Sequence, residues 1–190
     1  MSTSIMRMPP LLRESMNEAQ RAAADELIAG PRKGVKGPFI ALLRSPELMA
    51  RLQKVGEYLR FESKVPARLS EFATLIVSRA WTQQFEWFMH VPLALKAGVA
   101  QESIDALREG RRPGGSPDEL VVFDFTNELL AQGGVSDATY SACLGYLGEQ
   151  GVLDLVCIIG YFTMISMVLN VAHIPQESNE KLAPLPPFPR

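Results

Sequence analysis

Histidine and cysteine each occur only twice in these 190 residues, and neither pair is spaced to hold a metal. Cys143 and Cys157 stand 14 residues apart in apolar helical patterns, in no CxxC or other ligand spacing, and read as buried thiols. An excess of positive charge is also missing. With a formal net charge of -2 the chain has little with which to neutralise phosphates or an anionic lipid surface, so neither nucleic acid nor membrane is an expected partner. Long apolar runs are absent too. The nearest, LVCIIGYFTMISMVL at residues 155–169, falls short of the roughly 18 to 20 residues that cross a bilayer, and predicts a helix buried on all sides in a core or subunit interface. Pro9 and Pro10 interrupt the N-terminal segment before any apolar region forms; no secretory signal is read there, and a cytoplasmic location is expected. Finally, almost nothing alternates with period two, which excludes a sheet and predicts an all-α fold.

What is present is apolar residues at three- and four-residue spacing between recognisable caps, with 47% hydrophobic content, enough for one core. The expected organisation is a single helical domain over residues 1–190, with an N-terminal arm at 1–16 and a proline-rich C-terminal arm at 175–190 lying on this subunit or a neighbour. Asn17 predicts a cap for a helix over 18–29, which Gly30 and Pro31 stop. A short helix around 39–44 follows a loop rich in Gly, Lys and Pro. Ser45 and Pro46 open a helix to about Phe61, Pro66 opens another through Trp81, and a third runs from about Thr82 to Gly98 with a kink expected at Pro92. Residues 101–109, 117–131, 137–149 and 151–171 complete the series, with Ser116 and Glu119 spaced as a capping box. The two Ser-Pro helix starts also raise the prospect of a degenerate internal duplication.

Groups fit for acid and base work are concentrated at residues 69–98. Glu86 and His90 stand at i and i+4, so they share one helix face within reach of each other. Glu71 lies on the preceding helix. If the two helices pack antiparallel about a turn near 79–82, Glu71 and His90 come to similar height, giving a histidine with two carboxylates: a plausible proton-transfer site. The alternative is a solvated surface pair, but Phe85, Trp87, Phe88 and Met89 make burial the expectation, and burying such groups without function is costly. A metal is not expected, because a second histidine is missing nearby; His173 reads as a helix-end residue. Arg79 is the first candidate to receive a substrate carboxylate, ahead of Arg68, Arg111 and Arg112. Trp81 and Trp87 are candidates to line a pocket for a ring, though helix-packing aromatics are the commoner case.

The glutamate at 71, the apolar helix after it and FEWFMHVPLALKAGV resemble the signature helix pair of the carboxymuconolactone decarboxylase and AhpD-like alkylhydroperoxidase superfamily. In the peroxidase branch a CxxC pair begins twelve residues after the glutamate, and a histidine follows four residues after the second cysteine. Glu71 and His90 match that glutamate and histidine, whereas Gln83 and Glu86 occupy the cysteine positions. Neither can act as a thiolate nucleophile or resolving thiol.

The resemblance therefore implies an AhpD-like helical bundle and a cofactor-free lyase or isomerase acting on a carboxylated lactone or related ring acid from aromatic breakdown. It also implies a trimeric or hexameric homo-oligomer. His90 takes the part of proton donor, Glu86 or Glu71 orients it, and Arg79, Gln83, Trp81 and Trp87 are the implied substrate contacts. Two other readings stay open: an AhpD-like oxidoreductase of unconventional mechanism, and a non-catalytic helical scaffold or binding protein.

Overall fold

The computed structural model describes residues 5–30, 32–175 and 182–187, and these contain eight α-helices and no strand. After a 3-10 turn at Arg13–Ser15 come α1 (Glu18–Ala29), α2 (Pro38–Leu42), α3 (Pro46–Phe61), α4 (Ala67–Ala80), α5 (Gln84–Ala97), α6 (Gln101–Arg108), α7 (Pro117–Gln132) and α8 (Asp137–Ala172). The all-α expectation holds, with most boundaries within a residue or two. Pro31, part of the expected stop of α1, lies outside the described residues, as do 1–4 of the N-terminal arm and 176–181 and 188–190 of the C-terminal one.

Local chemistry explains the boundaries. Asn17 accepts from the Gln20 backbone while the Gln20 side chain returns a bond to the Asn17 N–H, a full capping box. Gly98, at φ 98°, closes α5 in the left-handed region that glycine enters without steric cost. Pro92 lies inside α5, which stays helical across it. Residues 137–172 form one element interrupted at Gly148, whose φ of 67° is non-helical, so the two expected helices meet at a break and not at a loop.

Two expected caps are not made. Ser116 and Ser45 form no side-chain cap bond. At Ser116 the hydroxyl donates instead to Asp118, and Glu119 is drawn away from the helix start to pair with Arg68.

Helix α4 occupies the centre, packed against α5, α7 and α8. Its residues from Leu69 to Val77 are buried with few exceptions, which only an all-apolar surface with small polar residues allows. Thr74 and Ser78 satisfy their hydroxyls on the carbonyls four residues back, at 2.9 and 2.8 Å, so neither carries an unmet polar group into the core. Buried Asp154 on α8 accepts from the Lys64 backbone N–H at 2.7 Å and the Tyr58 hydroxyl at 3.2 Å, tying α8 to α3 and the turn before α4.

Within one subunit, residues 155–169 are covered on one side only. Leu155, Ile158, Ile159, Phe162, Ile165 and Leu169 face the core, but Val156, Cys157, Gly160 and Met167 are exposed. Helix α8 is long and apolar enough by composition to cross a membrane, yet 56% of its most apolar stretch is buried inside the protein.

At the C-terminal end, Leu185 is buried and its backbone is held both ways by the Gln84 amide, at 2.9 and 2.7 Å. The described part of the arm thus lies on its own subunit, at the α4–α5 turn.

Candidate active site

The antiparallel α4–α5 pair performs the alignment that the spacing predicts. Its turn, from Trp81 to Gln83, brings Glu71 on α4 level with His90 on α5, and His90 Nδ1 lies 2.6 Å from Glu71 Oε2. One helical turn back on α5, Glu86 Oε2 lies 3.3 Å from His90 Nε2. His90 and Glu86 are buried, at 6% and 4% exposure. The imidazole is thus gripped at both nitrogens by carboxylates, tightly at Nδ1 and loosely at Nε2.

Burial acts on His90 to disfavour the cation, but the hydrogen bonds and charges of Glu71 and Glu86 together outweigh it and raise the pKa from 6.5 to about 9. At neutral pH the site therefore holds an imidazolium between two carboxylates. Phe162 meets the His90 ring edge-on, with centroids 4.9 Å apart, and fixes its plane.

Glu86 and His90 form one side of a cavity of about 300 Å³. Its apolar walls are Phe39, Phe61, Phe85, Met89, Phe162 and Ile165, and its polar groups include Arg32, Lys36, Glu57, Arg60 and Tyr161. Two glycines keep this space open. A Cβ at Gly56 would collide with the Tyr161 hydroxyl, and one at Gly37 would strike the Phe85 ring; Gly37 also has φ 55°.

Four of the residues that sequence reasoning offers as substrate contacts do not line this cavity. The Arg79 guanidinium donates to the Pro186 carbonyl at 3.0 Å, on the side of the C-terminal arm. Gln83 is spent on structure, capping the Phe85 N–H at 2.7 Å and donating to Asn170 at 2.8 Å. Trp87 is 1% exposed within the core. Trp81 is half-buried at the end of α4, where its carbonyl accepts from Asn170. The weaker cation candidates are paired with carboxylates: Arg68 with Asp118 and Glu119, Arg111 with Glu109, and Arg112 with Asp124.

The residues missed are Arg32, Lys36, Arg60 and Tyr161. For Arg32 and Lys36 the one sequence signal is the run PRKGVKG, basic and glycine-rich, where a loop carries cations with no periodic reason to do so; Arg60 and Tyr161 have none. No group of three metal-ligating side chains occurs among the described residues. Neither cysteine lines the cavity. Burial pushes the Cys143 thiol up to about 11, which suppresses the thiolate, and Cys157 faces outward on α8.

Two solved structures share this all-α, AhpD-like fold. One, an uncharacterised peroxidase-related protein with an alkylhydroperoxidase AhpD core from Ralstonia eutropha, superposes with a TM-score of 0.73 at 14% identity, covering 92% of this chain and 93% of that one. The other is an Agrobacterium tumefaciens protein of unknown function for which a role as the antioxidant defence protein AhpD has been suggested; its TM-score is 0.64 at 14% identity, covering 73% of this chain and 96% of that one. Residues 46–128 match the carboxymuconolactone decarboxylase family, and that segment holds Glu71, Glu86 and His90. No curated protein matches the sequence.

Proposed function

We propose that the protein is a cofactor-free decarboxylase that protonates a ring dienolate from His90, with a carboxylated lactone or related ring acid as substrate. The observation that carries this reading is the imidazole held between Glu71 and Glu86 on the side of a small, apolar-walled cavity from which both cysteines are absent. In such a reaction the bond to the departing carboxylate breaks, CO2 leaves, and the electron pair moves into the ring as a dienolate. A proton must then reach carbon.

His90 is suited to supply it from Nε2. The short bond at Nδ1 fixes the ring through Glu71, while the 3.3 Å separation at Nε2 leaves that proton less firmly held and beside Glu86, which also lines the cavity. Solvent protons then restore the imidazolium. The raised pKa keeps the donor charged at neutral pH.

The expectations of a cytoplasmic homo-oligomer and a small carboxylic acid or lactone as partner belong to the same reading. Assembly is supported by an exposed apolar stripe on α8, where Leu153, Val156, Met167 and Val171 recur at helical spacing.

The test is CO2 release from a panel of unsaturated carboxylated lactones. The wild type is expected to turn over at least one, and His90→Gln to lose roughly 10²- to 10⁴-fold, the usual worth of a positioned general acid. Full activity in the variant, or peroxide reduction that a Cys157→Ser change abolishes, would reject the proposal in favour of other chemistry.

A further inference from the structure

The cavity has a second half that the proton-transfer chemistry does not use. Arg32, from the loop between α1 and α2, and Arg60, from the end of α3, both line it, and each guanidinium lies over an aromatic ring: Arg32 at 4.4 Å from the Phe39 centroid and Arg60 at 5.2 Å from that of Phe61. Lys36 lines the same space, so three permanent cations face it against the carboxylates of Glu57 and Glu86. With His90 protonated the balance is positive, in a chain whose formal charge is negative. Arg60 Nε is shut off from solvent and makes no hydrogen bond among the described residues. A buried donor without an acceptor is costly, and a bound anion would satisfy it.

The walls narrow the choice of anion. Rings and Ile165 enclose about 300 Å³, which suits a flat ring and little more, and a guanidinium fork matches a planar carboxylate. We propose that Arg32 and Arg60 form an anion subsite that seats the carboxylate of a small ring acid beside Glu86 and His90. This deepens the decarboxylase reading and rests on it for the choice of carboxylate.

The subsite also divides the labour within the chain. Arg60, like Glu71, Glu86 and His90, lies inside the matched segment at 46–128, whereas Arg32 and Lys36 precede it and Tyr161 follows it. The Tyr161 hydroxyl, for which Gly56 leaves room, lines the cavity together with Arg32. Acid-base chemistry is thus carried by the α4–α5 pair, and the anion is held by Arg60 on α3 and by Arg32 on a loop outside the matched segment. Arg32 is then the specificity-determining residue.

Calorimetric binding to the full chain, with benzoate, uncharged benzamide and phenyl phosphate as probes, tests this without requiring turnover. Benzoate is expected to bind at least tenfold more tightly than benzamide. Arg32→Gln and Arg60→Gln should each weaken benzoate by about ten- to a hundredfold, as loss of a charged hydrogen bond does, while leaving benzamide unchanged. Arg32→Lys and Arg60→Lys, which keep the charge, should recover part of the affinity and show that folding is intact. Equal binding of benzoate and benzamide, benzoate affinity that survives both Gln variants, or no benzoate binding at millimolar concentration would overturn the subsite. Tighter binding of phenyl phosphate than of benzoate would overturn the carboxylate assignment. A His90→Gln protein that binds benzoate normally but is as active as wild type would reject the proton-donor reading and leave the subsite standing.

Discussion

His90 has two partners with unequal grips, and the inequality assigns them different work. Glu71, at 2.6 Å, fixes the ring; Glu86, at 3.3 Å and lining the cavity, stands where a proton leaves. Replacing Glu71 with Gln should therefore lower the His90 pKa and cost rate through loss of the charged donor, whereas Glu86→Gln should alter the donor's immediate surroundings more than its orientation. A pH-rate profile of each variant separates the two. The raised pKa also has a sign for stability. Because the folded imidazole binds its proton more tightly than the ordinary value of 6.5, its contribution is fully present below about pH 6.5 and is lost as pH rises through about 9. Denaturation at pH 7 and pH 10 should show that loss in the wild type and a smaller one in His90→Gln.

This triad was legible in the sequence because i,i+4 spacing and a tight helix hairpin are local rules, and together they determine which side chains meet. The flanking residues were not, since each step along a helix turns the side chain by about 100°. Trp87, one position beyond Glu86, therefore enters the core, and Arg79, eight positions beyond Glu71, ends up against the C-terminal arm. The cationic half of the cavity was hidden for another reason. Arg32, Arg60 and Tyr161 come from three elements far apart in the chain, and no periodicity links a loop arginine to a tyrosine on α8.

Among the elements, α3 and α8 meet where Gly56 faces Tyr161. Gly56→Ala should drive a methyl into the tyrosine hydroxyl, overpacking the contact at a cost of about 1 to 3 kcal/mol in denaturant melts and shifting Tyr161 in the cavity wall. Benzoate affinity should fall with it. Helix α8 shows that an apolar run does not by itself say what covers each of its faces. Fifteen uncharged residues in sequence say nothing of which face is covered, and one face here carries Leu153 and Val171 at 62% and 57% exposure. If that face joins copies of the chain, sedimentation should give an oligomer for the wild type and a smaller species for the Leu153→Glu, Val171→Glu double variant, with helix content unchanged.

Across the whole molecule, the eight helices could be foreseen because Asn17, Ser-Pro starts and Gly98 punctuate them, although Ser45 and Ser116 do not make the cap bonds their positions suggest. The arm at 182–187 was foreseen as extended but without a docking place. It lies on the α4–α5 turn through Gln84, Arg79 and buried Leu185, and so braces the hairpin that aligns Glu71 with His90. Leu185→Ala should cost about 2 to 5 kcal/mol, the usual range for a buried leucine, and a thermal melt would read it. The same hairpin holds an imidazole, charged at neutral pH, between two carboxylates as a proton donor. NMR titration of the His90 ring in the wild type and in Glu71→Gln tests that charge most directly. The expected midpoint lies near 9 and falls in the variant; a wild-type midpoint near 6.5, unmoved by the substitution, would contradict a charged donor at neutral pH.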